Sequence, residues 1–227
     1  ILAAASEVGF MTVVGVPEQV LGEPQRLRRS LLRLFEVPVS EQRRFWKRNF
    51  APENPNLYRG WFPLESGPAR SREGFEIGPD LVRELPEDGR NDLLYEPSVL
   101  PTDEELPGWQ ADAAAYYHAM EAIGFALLDA LSRGLGIEEH WFRDAFRDGI
   151  STLRLLRYPA AHDLERLEPE REAHLTEWGG ESWEVVCGAH VDSGLVTILA
   201  QCDAEGLQGF SDTLMSFFWI NACQHQR

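Results

Sequence analysis

The sequence predicts an α+β protein in which N-terminal helices pack on a β-sandwich or jelly-roll core. Apolar residues in the first 150 positions repeat mainly at helical spacing, whereas those after Ser151 fall in short β-rich runs. Hydrophobic residues make up 44% of the 227 positions and charged residues 26%, which is ordinary for a globular protein. The α+β class is predicted from the order of the elements, because helical spacing comes before the strand-like runs.

The N-terminal elements are predicted to be short. A β-rich run over residues 8–14 predicts a strand that ends in a Gly-Val-Pro turn. Leucines at helical spacing predict a helix over 18–36. Ser40 is then expected to cap a short helix over 41–48.

The middle of the chain divides into loops and helices. Residues 51–108 are rich in Pro and Gly and are expected to form extended loops over a core, with aromatic plugs at Tyr58, Trp61, Phe62 and Phe75. Apolar spacing of three or four predicts a long helix over 109–131, closed by glycines. A second helix is expected over 137–147, with three aromatic side chains facing inward: Trp141, Phe142 and Phe146. His118 and His140 are interpreted as structural residues of these helices.

After residue 150 the pattern predicts strands in antiparallel style. Three runs are predicted to be strands, at 152–158, 183–190 and 195–201. The acidic stretch over 160–180 is expected to be a surface loop that exposes His162 and His174.

Charge and cysteine usage exclude several classes. The net charge of −16 argues against nucleic-acid binding, and no apolar run has the length of a membrane span. Three cysteines without a CxxC pair argue against a disulfide framework or a zinc knot. A reducing, cytoplasmic setting is therefore expected. The sequence predicts no oligomeric state.

The segment over 187–194 contains two candidate metal ligands. Side chains alternate along a strand, so His190 and Asp192 are expected to project from the same face at a strand end. An imidazole and a carboxylate side by side are two of the three ligands in the 2-His-1-carboxylate triad that holds non-heme Fe(II). A bare His-x-Asp pair is a weak signal, and the alternative is a strand-end histidine beside a solvated aspartate.

Several further segments strengthen this interpretation. They occur in one order along the chain: 4–17 (AASEVGFMTVVGVP), 58–63 (YRGWFP), 73–78 (EGFEIG), 153–159 (LRLLRYP) and 188–199 (GAHVDSGLVTIL). Together they resemble the isopenicillin-N-synthase-like group of the Fe(II)/2-oxoglutarate-dependent dioxygenase superfamily. The resemblance runs from about residue 4 to Gln208.

The resemblance implies a fold and a division of the chain. It implies a double-stranded β-helix jelly roll with N-terminal helices packed on it, here incomplete. Residues 1–108 would form the N-terminal region with its loops, and 109–150 the supporting helices. Residues 151–208 would form a partial jelly roll, and 209–227 a divergent tail. Within that tail, Leu214 to Ile220 is interpreted as a replacement strand, and the alternative is a frameshifted or alternatively spliced tail.

The resemblance also implies site residues. His190 and Asp192 would bind Fe(II), and Tyr158 would help hold the distal carboxylate of the cosubstrate 2-oxoglutarate. Arg154 matches a position that can face substrate. The structural alternatives are core packing for Tyr158 and an ion pair for Arg154. O₂ and a small organic molecule would be the other reactants.

One departure from the family leaves the function open. The family places a second His and a carboxylate-binding Arg several dozen residues after the metal strand, but only 35 residues follow Asp192. His225, two residues from the end, is not expected to be a ligand. The sequence is thus interpreted as a truncated or variant oxygenase for hydroxylation, desaturation or cyclisation, with reduced or no activity in this chain. The alternatives are a non-catalytic jelly-roll binding or regulatory protein and a metal oxygenase that needs no keto-acid.

Overall fold

The computed structural model describes residues 1–64, 72–87, 92–159, 175–178, 180–201 and 218–221. They form a mixed helix and sheet structure, as the sequence predicts. The α-helices are α1 Leu2–Glu7, α2 Glu18–Leu21, α3 Pro24–Leu32, α4 Val39–Gln42, α5 Trp109–Leu135 and α6 Trp141–Ala145. The strands are β1 Phe10–Thr12, β2 Gly60–Phe62, β3 Glu73–Ile77, β4 Leu153–Arg157, β5 Leu175–Trp178, β6 Glu181–Glu184, β7 Val196–Leu199 and β8 Phe218–Asn221. Short 3₁₀ helices lie at Arg33–Glu36, Arg43–Phe45, Pro79–Leu81 and Leu93–Tyr95.

The chain divides into two compact units. The first unit comprises residues 1–25, 115–149 and 190–227. The second unit comprises residues 26–114 and 150–189. Among the helices of the described residues, none is both long enough and apolar enough to cross a bilayer.

The first unit is built on the sheet β1-β8-β7, whose strands pair in parallel. One face of α5 supplies the core, because its apolar residues recur every three or four positions. Ile123 and Leu127 are buried against Met11, Val196 and Ile198 from β1 and β7. Parallel pairing was not expected, since the sequence favoured antiparallel-style strands. The correction reflects pairing between segments distant in sequence, which local patterns do not encode.

The second unit is built on the antiparallel sheet β2-β3-β4. Its core is a cluster of aromatic rings in edge-to-face contact. Trp61 and Phe75 lie 6.1 Å apart between centroids, and Phe75 lies 6.3 Å from Trp109. The Trp109 Nε1 donates to the Leu31 carbonyl at 3.0 Å, so the buried indole keeps a partner. β5 and β6 form a separate hairpin.

This sheet corrects the prediction of loops over 51–108, because β2 and β3 both lie in that range. The glycines that suggested loops occupy strand positions. At Gly60 the backbone has φ +107°, and a Cβ there would meet the Phe45 carbonyl oxygen at 2.5 Å. At Gly74 a Cβ would meet the Phe62 ring at 2.2 Å. Both glycines therefore permit close approach within the sheet.

The predicted helices also need correction at their ends. Gly22, with φ +58°, separates α2 from α3, so residues 18–36 do not form one helix. The carbonyl of Pro38 accepts from Glu41 and Gln42, so α4 begins at Val39 and Ser40 is not its cap. Helix α5 begins at Trp109, as predicted, and continues to Leu135.

The helix predicted over 137–147 reduces to the five residues of α6. Phe142 packs on the first unit's core, but Trp141 and Phe146 are exposed, so only one of the three aromatic residues faces inward as predicted. A five-residue helix is too short to bury a continuous aromatic stripe.

Strand β4 confirms the prediction over 152–158 to within one residue at each end. β6 ends at Glu184, so the strand predicted over 183–190 stops well before His190. β7 forms within the run predicted over 195–201. In the tail, Phe218–Asn221 forms β8, while residues 214–217 lie outside the described residues.

Candidate functional site

His190 and Asp192 lie in an irregular segment of the first unit that precedes β7, here called the metal-pair segment (residues 190–195). Neither residue is in a strand, so the prediction that strand alternation aligns them is wrong. The chain leaves the ladder after β6, and Gly194, with φ +111°, bends it before β7. The two side chains nevertheless meet, with His190 Nε2 3.2 Å from Asp192 Oδ1.

The distance between these two atoms decides what the pair can do. An ion held about 2.1 Å from each of two donors at right angles separates those donors by about 3.0 Å. The observed 3.2 Å is close to that separation. A neutral imidazole nitrogen and a carboxylate oxygen are both donors that Fe(II) accepts. Without a metal, the same geometry lets Nε2–H donate to Oδ1, so the pair fits a metal or a hydrogen bond.

No further metal-binding group accompanies this pair in the part of the chain that the structure describes. Within those residues, no three His, Cys, Asp or Glu side chains gather closely enough to hold an ion. His162, His174 and His225 lie outside the described residues, as do Cys202 and Cys223.

The two helix histidines do not join the metal pair. His118 is exposed on α5, contrary to the expectation of a structural role there. His140 Nδ1 lies 3.2 Å from Asp129 Oδ1, where Arg143 also binds the carboxylate. The hydrogen bond from Arg143 lowers the pKa of Asp129 from its ordinary value. His140 therefore has a carboxylate partner on α5, although its side chain is 58% exposed.

Tyr158 follows β4 in the second unit. Its side chain is 42% exposed, which contradicts the alternative of core packing. The hydroxyl oxygen accepts a hydrogen bond from Arg72 Nη1 at 3.3 Å, and the same guanidinium contacts the Cys187 thiol. Because the oxygen accepts from Arg72, the hydroxyl proton can be donated to another acceptor.

Arg72 is the cationic partner of this hydroxyl. Burial by itself lowers the pKa of Arg72, but the hydrogen bond to Tyr158 and the charge interactions with Tyr158 and Cys187 outweigh it. The pKa therefore lies above its ordinary value. Arg72 is charged beside a hydroxyl that can donate a hydrogen bond.

Arg154 lies on β4 directly opposite Glu76 of β3. Its Nη2 contacts Glu76 Oε1 at 2.5 Å, so the ion pair named as the structural alternative is present. The Arg154 side chain is 49% exposed, whereas Glu76 is buried. Lys47, the single lysine of the chain, binds the same carboxylate through its Nζ. Arg154 thus joins an ion pair through a side chain that is about half exposed.

A second ion pair occupies the other face of the sheet. Arg157 donates from Nε to Glu73 Oε1 at 2.6 Å, and Trp61 Nε1 donates to Glu73 Oε2 at 3.1 Å. Burial raises the pKa of Glu73, although the charge of Arg157 and the hydrogen bond from Trp61 oppose that effect.

Sequence reasoning did not identify the carboxylates and basic residues of these clusters: Lys47, Arg72, Glu73 and Glu76. A usable signal exists in the spacing, since Glu73 and Glu76 match Arg157 and Arg154 in reverse order. Such spacing is expected of two antiparallel strands with complementary charges.

The structure brings some of the predicted residues together. His190 and Asp192 are in contact within the first unit. Tyr158 and Arg154 lie at and beside β4 in the second unit, where each has a polar partner. The geometry therefore provides a candidate metal pair in one unit and candidate polar ligand-binding groups in the other.

Comparison with known proteins identifies sequences and structures that are similar to this chain. No family model matches the chain. Isopenicillin N synthase from Streptomyces clavuligerus is 23% identical over 161 residues, which cover 70% of this chain and 46% of that protein. The 2-oxoglutarate-Fe(II) type oxidoreductase hxnY from Emericella nidulans is 27% identical over 205 residues, covering 88% and 54%.

Among solved structures, a full-length Neurospora crassa protein in complex with alpha-KG and thymine matches with a TM-score of 0.49 and 17% identity. The match covers 73% of this chain and 50% of that one. The chain spans about half the length of the curated relatives it matches.

Proposed function

We propose that this chain, a homologue of isopenicillin N synthase and 2-oxoglutarate-dependent dioxygenases, forms part of an Fe(II)/2-oxoglutarate-dependent oxygenase that acts on a small organic molecule. The observation that carries the proposal is the 3.2 Å separation of His190 Nε2 and Asp192 Oδ1. The relatives supply the class of reaction, and the donor pair supplies a place for the metal.

His190 and Asp192 would hold the iron as two of its protein ligands. Bound Fe(II) would supply O₂ activation, with 2-oxoglutarate as the source of electrons. The chain's own contribution is to hold the two ligand atoms close together. His190 must be neutral at Nε2 to offer its lone pair, and Asp192 must be ionised.

Tyr158 would bind the distal carboxylate of 2-oxoglutarate through its hydroxyl proton. Arg72 supports this role because its hydrogen bond to the hydroxyl oxygen leaves that proton available. Arg154 would contact the substrate, since its side chain is about half exposed beside Glu76. Hydroxylation, desaturation and cyclisation are the reactions this proposal includes.

The proposal extends to the fold and its setting. Residues 151–208 would belong to a double-stranded β-helix jelly roll, supported by the N-terminal region over 1–108 and the helices over 109–150. The tail over 209–227 would diverge from the family. A cytoplasmic location agrees with the odd cysteine count and the absence of a CxxC pair in the sequence.

The test measures succinate formed from 2-oxoglutarate by the 227-residue chain with Fe(II) and O₂. We expect wild-type protein to form succinate and Asp192→Ala to form at least about tenfold less, because the metal loses one of its ligands. Asp144→Ala is the matched control, since Asp144 is an exposed carboxylate on α6 that pairs with Arg147. Succinate formation that is the same in wild type and Asp192→Ala would contradict the proposal.

A further inference from the structure

One buried carboxylate on the β2-β3-β4 sheet binds two cations. Glu76 accepts a hydrogen bond from Lys47 Nζ and forms an ion pair with Arg154 Nη2. We propose that this cluster binds the carboxylate of an apolar substrate, with Arg154 as the contact. The inference deepens the proposed function by naming a substrate class, and it rests on that function only for the reaction that follows binding.

The charge of the cluster favours an anion. Lys47 and Glu76 form a largely buried pair that is neutral as a unit. Arg154 adds a second positive charge, and its side chain is 49% exposed. Within the described residues, the ion pairs of Lys47 and Arg154 both involve the same carboxylate, that of Glu76. The cluster therefore carries a net charge of about +1, and Arg154 is the more exposed of its two cations.

The neighbouring row of the same face is apolar. Phe62, Gly74 and Leu156 are paired across the three strands, next to the row of Gly60, Glu76 and Arg154. The Phe62 ring lies over Gly74, where a Cβ would come within 2.2 Å of it. The two rows are two residues apart along each strand, about 6.6 Å. This spacing suits a ligand whose apolar body is linked to its carboxylate by a short chain.

The ion pair on the opposite face of the sheet has no excess positive charge and so provides a control. Arg157 is on the same strand, pairs with buried Glu73 and is 47% exposed. One cation then faces one carboxylate, and Trp61 donates the remaining hydrogen bond to Glu73. Arg154 and Arg157 thus match in strand, partner type and exposure, and differ in the charge balance of their clusters.

The experiment measures binding of 3-phenylpropionate and of its neutral amide, 3-phenylpropanamide, to the full chain by calorimetry without iron or 2-oxoglutarate. We expect wild-type protein to bind the acid about tenfold more tightly than the amide, because the carboxylate gains a charge-assisted hydrogen bond. Arg154→Gln should abolish this preference, and Arg157→Gln should keep it within about twofold. Arg154→Lys retains the charge and should keep part of the preference.

Three results would overturn the inference: no preference in wild type, equal loss in Arg154→Gln and Arg157→Gln, or displacement of the acid by 2-oxoglutarate. Circular dichroism confirms that each variant is folded. Where Arg154→Gln does not fold, Arg154→Lys decides, and its complete loss of preference would overturn the inference. Because the binding assay contains no iron, a negative result would not contradict the proposed metal site. Likewise, a failure to bind iron would not contradict the proposed carboxylate-binding role of Arg154.

Discussion

The β2-β3-β4 sheet and the metal-pair segment hold their polar side chains in different ways. On the sheet, ladder hydrogen bonds, buried aromatic rings and cross-strand ion pairs fix the positions of Glu73 and Glu76. On the metal-pair segment there is no ladder, Val191 is 62% exposed, and His190 contacts Asp192 directly. The comparison teaches that the buried sheet and the proposed metal ligands are separate parts of the chain, so we expect that each can be changed alone.

The largest expected effect comes from the core of the sheet. Phe75 is fully buried and contacts three aromatic rings, so Phe75→Ala should lower the free energy of unfolding by about 3–5 kcal/mol. Val191→Ala, in the metal-pair segment, should change it by less than about 0.5 kcal/mol because the side chain is exposed. Urea unfolding of both variants measures the difference. Comparable losses in the two variants would break the distinction between the two regions.

A smaller effect is expected from the ionisation of Glu73. A carboxyl whose folded pKa lies above its ordinary value of 4.5 contributes full stability below that pH and loses it as pH rises through the folded pKa. Burial raises the pKa of Glu73 in this way. Glu73→Gln cannot ionise, so it should gain stability relative to wild type as pH rises from about 4.5 toward neutral.

Urea unfolding between about pH 4.5 and pH 7.5 checks this expectation. Glu139→Gln is the control, because Glu139 is a half-exposed carboxylate paired with half-exposed Arg133 and should show little pH-dependent difference. A Glu73→Gln variant that loses stability relative to wild type as pH rises would mean that the attraction of Arg157 exceeds the cost of burial.

Local patterns in the sequence identify the elements whose signal is repeated many times. Helix α5 was predicted from its first residue because apolar positions recur along its whole length. Strand β4 was predicted to within one residue at each end, since a short apolar run ends there at Pro159. Strands β2 and β3 were missed because Gly60 and Gly74, which permit close packing, suggest loops when they are considered alone.

The candidate site was predicted only in part, because its contacts join residues far apart in sequence. The proximity of His190 and Asp192 was expected, but from a strand that does not extend to them. The ion pair of Arg154 was foreseen as an alternative, whereas its partner Glu76 and the shared Lys47 were not. Arg72, the partner of Tyr158, lies 86 residues away and leaves no local pattern.

The most direct test of the central claim is an anaerobic Fe(II) titration of the full chain by calorimetry. We predict saturable binding of one Fe(II) per chain, weakened at least about tenfold by Asp192→Ala and unchanged by Asp144→Ala. The Phe75→Ala and Val191→Ala variants serve as controls. They distinguish a loss of Fe(II) binding that follows from unfolding from one that follows from the loss of a ligand. Equal Fe(II) affinity in wild type and Asp192→Ala, or no binding by either, would contradict the assignment of His190 and Asp192 as a metal pair.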